Sequence, residues 1–331
     1  MNLFAYKRPA SVDEAVRMAA SPGAAYIGGG TNLIDLMKGG AAAPTMLVDV
    51  SRLPLNGIAE LPDGGVRIGA MALNSDAANH PLIRQRYPLL TQALLAGASP
   101  QLRNMATMGG NLLQRTRCYY FYDTAFDQCN KRVPGSGCAA LQGINRIHAV
   151  LGASPSCIAT HPSDMCVALA ALRATVRVLG PAGARAIGMQ DFHRLPGDMP
   201  QRDTLLEPGE LITAIDLPRS GFERHAHYLK IRDRASYAFA LVSVAAALDI
   251  RDGTVQDAAL ALGGVAHKPW RIPQAEAALI GRPLAPETMQ AAADLLLQGA
   301  QPHSHNGFKV PLARRAIVRA LRSAADTTLG T

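Results

Sequence analysis

No stretch of this sequence stays apolar for the roughly 18–20 residues that a helix needs to span a bilayer, so membrane insertion is not expected. The opening MNLFAYKRPASVDEA has no basic n-region, no apolar core, no small-residue cleavage site and no twin-arginine pair. A secretory signal is therefore not expected, and export would rely on a partner's signal. No H-E-x-x-H, G-x-S-x-G or Gly-Lys-Ser/Thr occurs, which removes the usual signatures of zinc peptidases, serine hydrolases and P-loop enzymes. Dense Lys/Arg blocks are missing too, although the formal net charge is +8. Scattered cations read as a solvated surface, with at most a patch for an acidic partner, and nucleic acid is not expected. Cysteine is absent from both ends of the chain: all five lie between residues 118 and 166. An odd, clustered set without a signal argues against a disulfide framework and for a local metal or cluster site.

What is present is an ordinary globular composition, 48% hydrophobic and 18% charged over 331 residues, enough for two or three cores. Residues 11–21 predict a short helix, with Ser11 as N-cap and Glu14 at capping-box spacing. Residues 24–27 predict a strand, 31–37 a helix, and 46–50 and 65–73 further strands. The pattern over 75–98 is helical and stops at Gly97-Ala98-Ser99-Pro100. Periodicity then fades over 115–160, which reads as an irregular loop wrapped around something, before a helix or helix–strand pair over 164–179. A boundary is expected near Gly180-Pro181-Ala182-Gly183, dividing the chain into 1–180 and 181–331. Past it, strands at 205–218, 226–231, 238–250 and 259–265 precede a helical tail over 275–325. The fold class is α+β.

Two glycine loops carry the first functional signal. Gly28-Gly29-Gly30-Thr31-Asn32 lies between a strand and a helix, and Ala106-Thr107-Met108-Gly109-Gly110-Asn111 offers the same chemistry. Bare backbone N–H groups approach an anion closely, and a helix N-terminus favours negative charge. Two such loops facing each other would clasp a pyrophosphate. A plain tight turn is the competing reading of each loop alone. Neither fits G-x-G-x-x-G, so a Rossmann dinucleotide site is not expected.

Cys118, Cys129, Cys138 and Cys157 are spaced C-x10-C-x8-C-x18-C. A 4Fe-4S cluster needs four thiolates brought together by the fold, while structural zinc favours short C-x2–4-C pairs, which are absent. Cluster, zinc and ordinary thiols all stay open on spacing alone. Cys166 enters an Ala/Leu helix and reads as a small buried hydrophobe. Tyr119-Tyr120-Phe121-Tyr122 beside Cys118 is either a shell around a cluster or plain packing. Asp164 reads as a helix cap or as an acceptor for a ribose or ring group. Lys230 lies in a strand, where it is either a surface cation or a charge beside a flavin ring.

Together, Tyr26-Ile27-Gly28-Gly29-Gly30-Thr31-Asn32-Leu33, the Thr107–Asn111 loop, Pro162-Ser163-Asp164, Gly209-Glu210-Leu211-Ile212 and Gly263-Gly264-Val265-Ala266 occur in an order that resembles the FAD-binding medium subunits of molybdenum hydroxylases. The segment 112–161, inserted between the second glycine loop and Ser163-Asp164, is similar to that of the periplasmic aldehyde oxidoreductase flavoproteins. Arg232–Phe239 matches that subgroup as well, with Tyr237 where the wider family often has an aspartate nearby. The resemblance implies a PCMH-type, vanillyl-alcohol-oxidase-like FAD domain of two subdomains, then a smaller α+β domain with an antiparallel sheet and helices. It implies FAD contacts from Tyr26, Ile27, Gly28, Gly29, Gly30, Thr31, Asn32, Leu33, Thr107, Gly109, Gly110, Asn111, Asp164, Ile212 and Lys230. It implies that Cys118, Cys129, Cys138 and Cys157 hold a 4Fe-4S cluster, and that Cys166 does not.

The implied partners are a large molybdenum-cofactor subunit and a small subunit with two 2Fe-2S clusters, in a heterotrimer. The chain itself would pass electrons to an external acceptor and hold no catalytic residues for the substrate. Its compartment would be the cytoplasm, or the periplasm by co-export with a partner. A 4-hydroxybenzoyl-CoA reductase or xanthine dehydrogenase type of subunit, a stand-alone FAD oxidase and a zinc-stabilised binding module are the alternatives.

Overall fold

A computed structural model describes residues 1–326. Three parallel strands open the chain: β1 (Ala5–Lys7), β2 (Ala24–Ile27) and β3 (Met46–Asp49), in the order β1-β3-β2. The helix Val12–Ala19 makes the first crossover. Ser11 accepts from the Glu14 N–H as its N-cap, and the Glu14 carboxylate accepts from the Ala10 N–H. A second sheet holds β4 (Ile58–Glu60), β5 (Val66–Gly69), β6 (Thr175–Gly180), β7 (Gly183–Gly188) and β8 (Leu211–Leu217), in the antiparallel order β4-β5-β8-β6-β7. The Gly180–Gly183 signal marks the tight turn between β6 and β7, which are hydrogen-bonded neighbours. The expected division at 180 therefore falls inside a hairpin, and the sheet carries the first unit as far as β8. Strong turn chemistry marks a reversal of the chain, which need not be a boundary.

The long apolar run expected to end at Ile250 becomes β10 (Val242–Arg251). It lies between β9 (His225–Ile231) and β11 (Thr254–Gly263) in a three-stranded antiparallel sheet. Successive side chains of a strand face opposite ways. Ala245 and Ala247 join the core shared with the amino-terminal part, whereas Val244, Ala246 and Leu248 pack under the carboxy-terminal helices. Both faces are buried, which is why no polar alternation appears in the sequence. The helices Pro286–Leu297 and Lys309–Asp326 cover the outer face.

The helical stretch 75–98 is three short helices, Asn74–Asn79, Pro81–Arg86 and Pro88–Ala96. Pro81 and Pro88 each start one, since proline fits a first turn but cannot continue a preceding one. Asp164–Ala171 is buried along its whole length at the centre of the largest core. The insert 112–161 is mostly irregular, with one turn of helix at Tyr119–Tyr122 and a 3-10 turn at Ala139–Leu141. No described helix is long and apolar enough to cross a membrane.

Candidate functional site

A cavity of about 920 Å³ opens where the first sheet, the second glycine loop, the buried helix Asp164–Ala171 and β9 meet. Its wall includes Tyr26 to Leu33, Thr107, Gly110, Asn111, Asp164 and Lys230. The fold thus brings together residues from four separate parts of the sequence.

β2 delivers the first glycine loop, and the helix Leu33–Lys38 carries the chain away. The second loop lies directly against it. A Cβ on Gly29 would stand 1.8 Å from the Met105 carbonyl oxygen, and one on Gly28 would meet Thr107 Oγ1 at 3.0 Å. Gly30 has φ +71°, in the left-handed region that favours glycine. Thr107 caps its helix by accepting from the Gly110 N–H at 3.1 Å. Side chains are missing here because the two loops pack directly on each other and on their neighbours. A cavity of this size, with facing glycine loops and few polar groups, fits a dinucleotide cofactor.

Two expected contacts lie off the wall. Ile212 is buried in β8 opposite Val178, and the cavity is instead approached by Leu206, Glu207, Gly209 and Glu210 just before it. Gly109 packs on Ala70, where a Cβ would meet Ala70 Cβ at 3.0 Å. Tyr26 reaches the same segment by donating its hydroxyl to the Gly209 carbonyl at 2.8 Å; its burial raises the phenol pKa.

Asp164 forms a buried ion pair with Lys230, Nζ to Oδ2 2.7 Å, and accepts the Tyr228 hydroxyl at 2.7 Å on its other oxygen. Lys230 also donates to the Ala96 carbonyl at 3.1 Å. Ser163, one residue earlier, is the helix N-cap, accepting from the Cys166 N–H. Asp164 is therefore free to face the cavity. Tyr228 had no signal in the sequence, because its partner is 64 residues away.

The four cysteines gather in one apolar cluster with Leu36, Tyr120, Phe121, Ala140 and Ile158. All are free thiols; Cys118, Cys129 and Cys157 are buried and Cys138 is partly exposed. Cys129 and Cys138 pair across an isolated antiparallel bridge. Burial pushes the Cys118 thiol up to about 12 and Cys157 to about 11, so metal binding here would release protons. His148 Nε2 lies 3.1 Å from Cys118 Sγ. The four thiols thus share one water-poor shell, although among the described residues no three of their sulfurs lie within 4.8 Å of one another. Cys166 stands apart, buried in its helix.

Cys166 has two histidine neighbours, His161 and His193, with one ligating atom of each of the three within 4.8 Å of the others. The hydrogen bonding does not suit a metal. His161 Nδ1 accepts from the Ser163 N–H, which leaves the ring proton on Nε2. His193 donates Nε2–H to the Leu112 carbonyl, leaving its lone pair on Nδ1. The free ring nitrogens are one donor and one acceptor.

Behind the second loop, Asp203 is clustered with Lys131, Arg115 and His267. Burial would raise the carboxyl pKa, but Lys131 and Arg115 outweigh it and hold it at about 2. Burial keeps His267 neutral, down at about 4. Lys131 belongs to the insert and also donates to the Pro200 carbonyl at 2.7 Å, so this cluster ties the insert to the chain beyond β7.

The family described as "FAD binding domain in molybdopterin dehydrogenase" matches residues 2–220, and "CO dehydrogenase flavoprotein C-terminal domain" matches 227–324. The chain belongs to the molybdopterin dehydrogenase flavoprotein family. It is 52% identical over 326 residues to the aldehyde oxidoreductase FAD-binding subunit PaoB of Escherichia coli (strain K12), covering 98% of this chain and 99% of that one. It is 28% identical over 328 residues to the carbon monoxide dehydrogenase medium chain of Hydrogenophaga pseudoflava, covering 97% and 96%. The solved structure of reconstituted CO dehydrogenase from Oligotropha carboxidovorans shares the fold, with TM-score 0.78 at 24% identity and 99% coverage of both chains. As a member of this flavoprotein family, the chain is an FAD-binding oxidoreductase subunit. The expected α+β architecture, an FAD-binding domain followed by a carboxy-terminal domain, is the one found.

Proposed function

We propose that this chain is the FAD- and 4Fe-4S-carrying electron-transfer subunit of a molybdenum-dependent aldehyde oxidoreductase. The observation that carries the reading is the 52% identity, end to end, with an aldehyde oxidoreductase FAD-binding subunit. In this reading the two glycine loops clasp the pyrophosphate: the backbone N–H groups of Gly28–Gly30 donate to it and the Thr107 hydroxyl and Asn111 amide add hydrogen bonds, while the N–H groups of Met108 to Asn111 stay bonded to Ala72, Ala70 and Thr107. Tyr26, Ile27, Thr31 and Leu33 line the nucleotide, and the Asp164–Lys230 pair offers polar contacts to it. Ile212 contributes through the packing of β8. Cys118, Cys129, Cys138 and Cys157 hold the cluster. In this reading the FAD-binding domain runs to about residue 220 and the carboxy-terminal domain starts near 227, a division supported by the extents of the two family matches.

The partners are a large subunit with the molybdenum cofactor and a small subunit with 2Fe-2S clusters, in a heterotrimer. Each aldehyde oxidised to a carboxylic acid in the large subunit takes an oxygen from water and releases two electrons and two protons. Bound FAD supplies a two-electron store between the 2Fe-2S clusters and an external acceptor. This chain's residues position and tune the cofactors, and the aldehyde binds in the partner.

Co-purification of the three subunits tests the reading. The complex is expected to contain one FAD per copy of this chain. The isolated chain is expected to hold about four iron and four sulfide. An aldehyde panel should reduce the flavin in the complex. A complex without flavin, or flavin that stays oxidised under every aldehyde, would sink the proposal.

A further inference from the structure

The sequence resemblance assigns Asn32 to the flavin, yet the structure engages its side chain elsewhere. Asn32 stands at the N-cap of Leu33–Lys38 but makes no capping hydrogen bond to that helix. Its Oδ1 accepts the Arg115 backbone N–H at 2.9 Å, and its Nδ2 donates to the Tyr122 hydroxyl at 3.1 Å. Both partners belong to the cysteine insert. The second loop is held from the same side: Gln114 donates its amide to Asn111 Oδ1 at 2.5 Å, and Arg117 donates to Gln114 Oε1 at 3.3 Å. Arg117 in turn contacts the Tyr122 hydroxyl and stacks over the Tyr122 and Phe239 rings, with its carbon at 5.4 and 4.8 Å from their centroids. Gln114, Arg115 and Arg117 precede Cys118 within four residues, and Tyr122 lies one helical turn beyond it.

We infer that the cysteine insert braces the two glycine loops, with Asn32 and Tyr122 as positioning residues, so that FAD affinity depends on the insert being ordered. The inference rests on the FAD reading above. A loop of bare glycines has the most conformational freedom to lose on binding. Fixing its last residue from outside removes part of that loss before the cofactor arrives, which is preorganisation. Whatever orders residues 115–122 then tightens FAD. Ligation of Cys118 within a four-thiolate cluster would do so, and by reciprocity FAD would tighten the cluster by the same factor. The insert would thus couple the loading of cluster and flavin, whether or not electrons pass through the cluster.

The test measures FAD affinity of the full chain by fluorescence quenching, with iron and sulfide assayed on the same samples. Wild type comes first: a chain that binds no FAD sinks the functional reading itself, before any variant is compared. Tyr122→Phe keeps the ring that stacks on Arg117 and removes the hydroxyl that Asn32 reaches. It is expected to weaken FAD about three- to tenfold, the range for one hydrogen bond, with iron unchanged. Tyr119→Phe, at a half-exposed neighbour, is expected to match wild type. Asn32→Ala removes the bond from the loop side, should Tyr122→Phe fold poorly, and is expected to weaken FAD at least as much. Unchanged affinity in folded Tyr122→Phe or Asn32→Ala overturns the brace. In the second arm, iron- and sulfide-loaded wild type is expected to bind FAD at least threefold tighter than the iron-free chain, and equal affinities overturn the coupling. A chain that takes up FAD but no iron overturns it as well, and the brace is then decided by Tyr122→Phe.

Discussion

Lys230 Nζ and Asp164 Oδ2 stand 2.7 Å apart on the cavity wall, with only 5% and 7% of their side chains exposed. A pair so buried contributes little net stability, because desolvation offsets the attraction, but breaking it strands a charge. Asp164→Ala is therefore expected to cost the flavin-free chain about 3–5 kcal/mol. The double substitution Asp164→Leu with Lys230→Met removes both charges and is expected to recover part of that loss. Urea midpoints of Asp164→Leu, Lys230→Met and the double variant decide it. Strictly additive losses would show that the pair is not coupled.

The glycine cradle predicts a sharp contrast between two alanine substitutions. Gly29→Ala places a methyl 1.8 Å from the Met105 carbonyl oxygen, which is backbone and cannot rotate away. The two loops must separate, so FAD content is expected to fall at least tenfold. Gly57→Ala meets nothing within 4 Å and is expected to leave FAD content and stability within about 0.5 kcal/mol of wild type, as open surface positions do. Flavin per chain in the purified proteins is the measurement, and equal losses in both variants would count against the cradle.

The sulfur set predicts an all-or-none pattern. Serine at Cys118, Cys129, Cys138 or Cys157 is expected to remove most of the iron and acid-labile sulfide from the isolated chain. Cys166→Ala is expected to keep both, at a stability loss of about 1–2 kcal/mol for truncating a fully buried side chain. Iron retained in all four serine variants would remove these thiols from the cluster.

The extent to which the sequence disclosed this arrangement depends on distance along the chain. Gly28–Gly30 was legible because a strand–glycine–helix pattern is local, whereas the glycines of Thr107–Asn111 sit in the short helix Met108–Leu112 and were marked only by their composition. The Pro81 and Pro88 breaks were equally local, although periodicity had merged the three helices they separate. The role of Asn32 was not legible. Its side-chain partner Tyr122 lies 90 residues away, and nothing in composition or spacing tells an amide that faces a ligand from one that faces an inserted segment. Asp203 had no signal either, since Lys131 and Arg115 reach it only after folding. The Gly180–Gly183 turn misled because reversal of the chain and the end of a sheet have the same local chemistry.

That cluster around Asp203 gives the clearest pH dependence. Its carboxyl has an ordinary value of 3.8 and is held at about 2 by Lys131 and Arg115 against the opposing effect of burial. A depressed carboxyl means that the unfolded chain binds the proton more readily. The resulting stability is therefore fully present above about pH 4 and is lost as pH falls from 4 to 2, with a size of about 2 kcal/mol. Asp203→Asn removes the titrating group while keeping its shape. It leaves the Lys131 ammonium, whose side chain is 1% exposed, facing no carboxylate, so a loss of about 3 kcal/mol at pH 7 is expected. Between pH 4 and 2 the variant is expected to lose less further stability than wild type. Urea midpoints of the iron-free chain at pH 7, 4 and 2.5 separate the two effects, and parallel acid limbs in the two proteins would show that Asp203 does not titrate in this range.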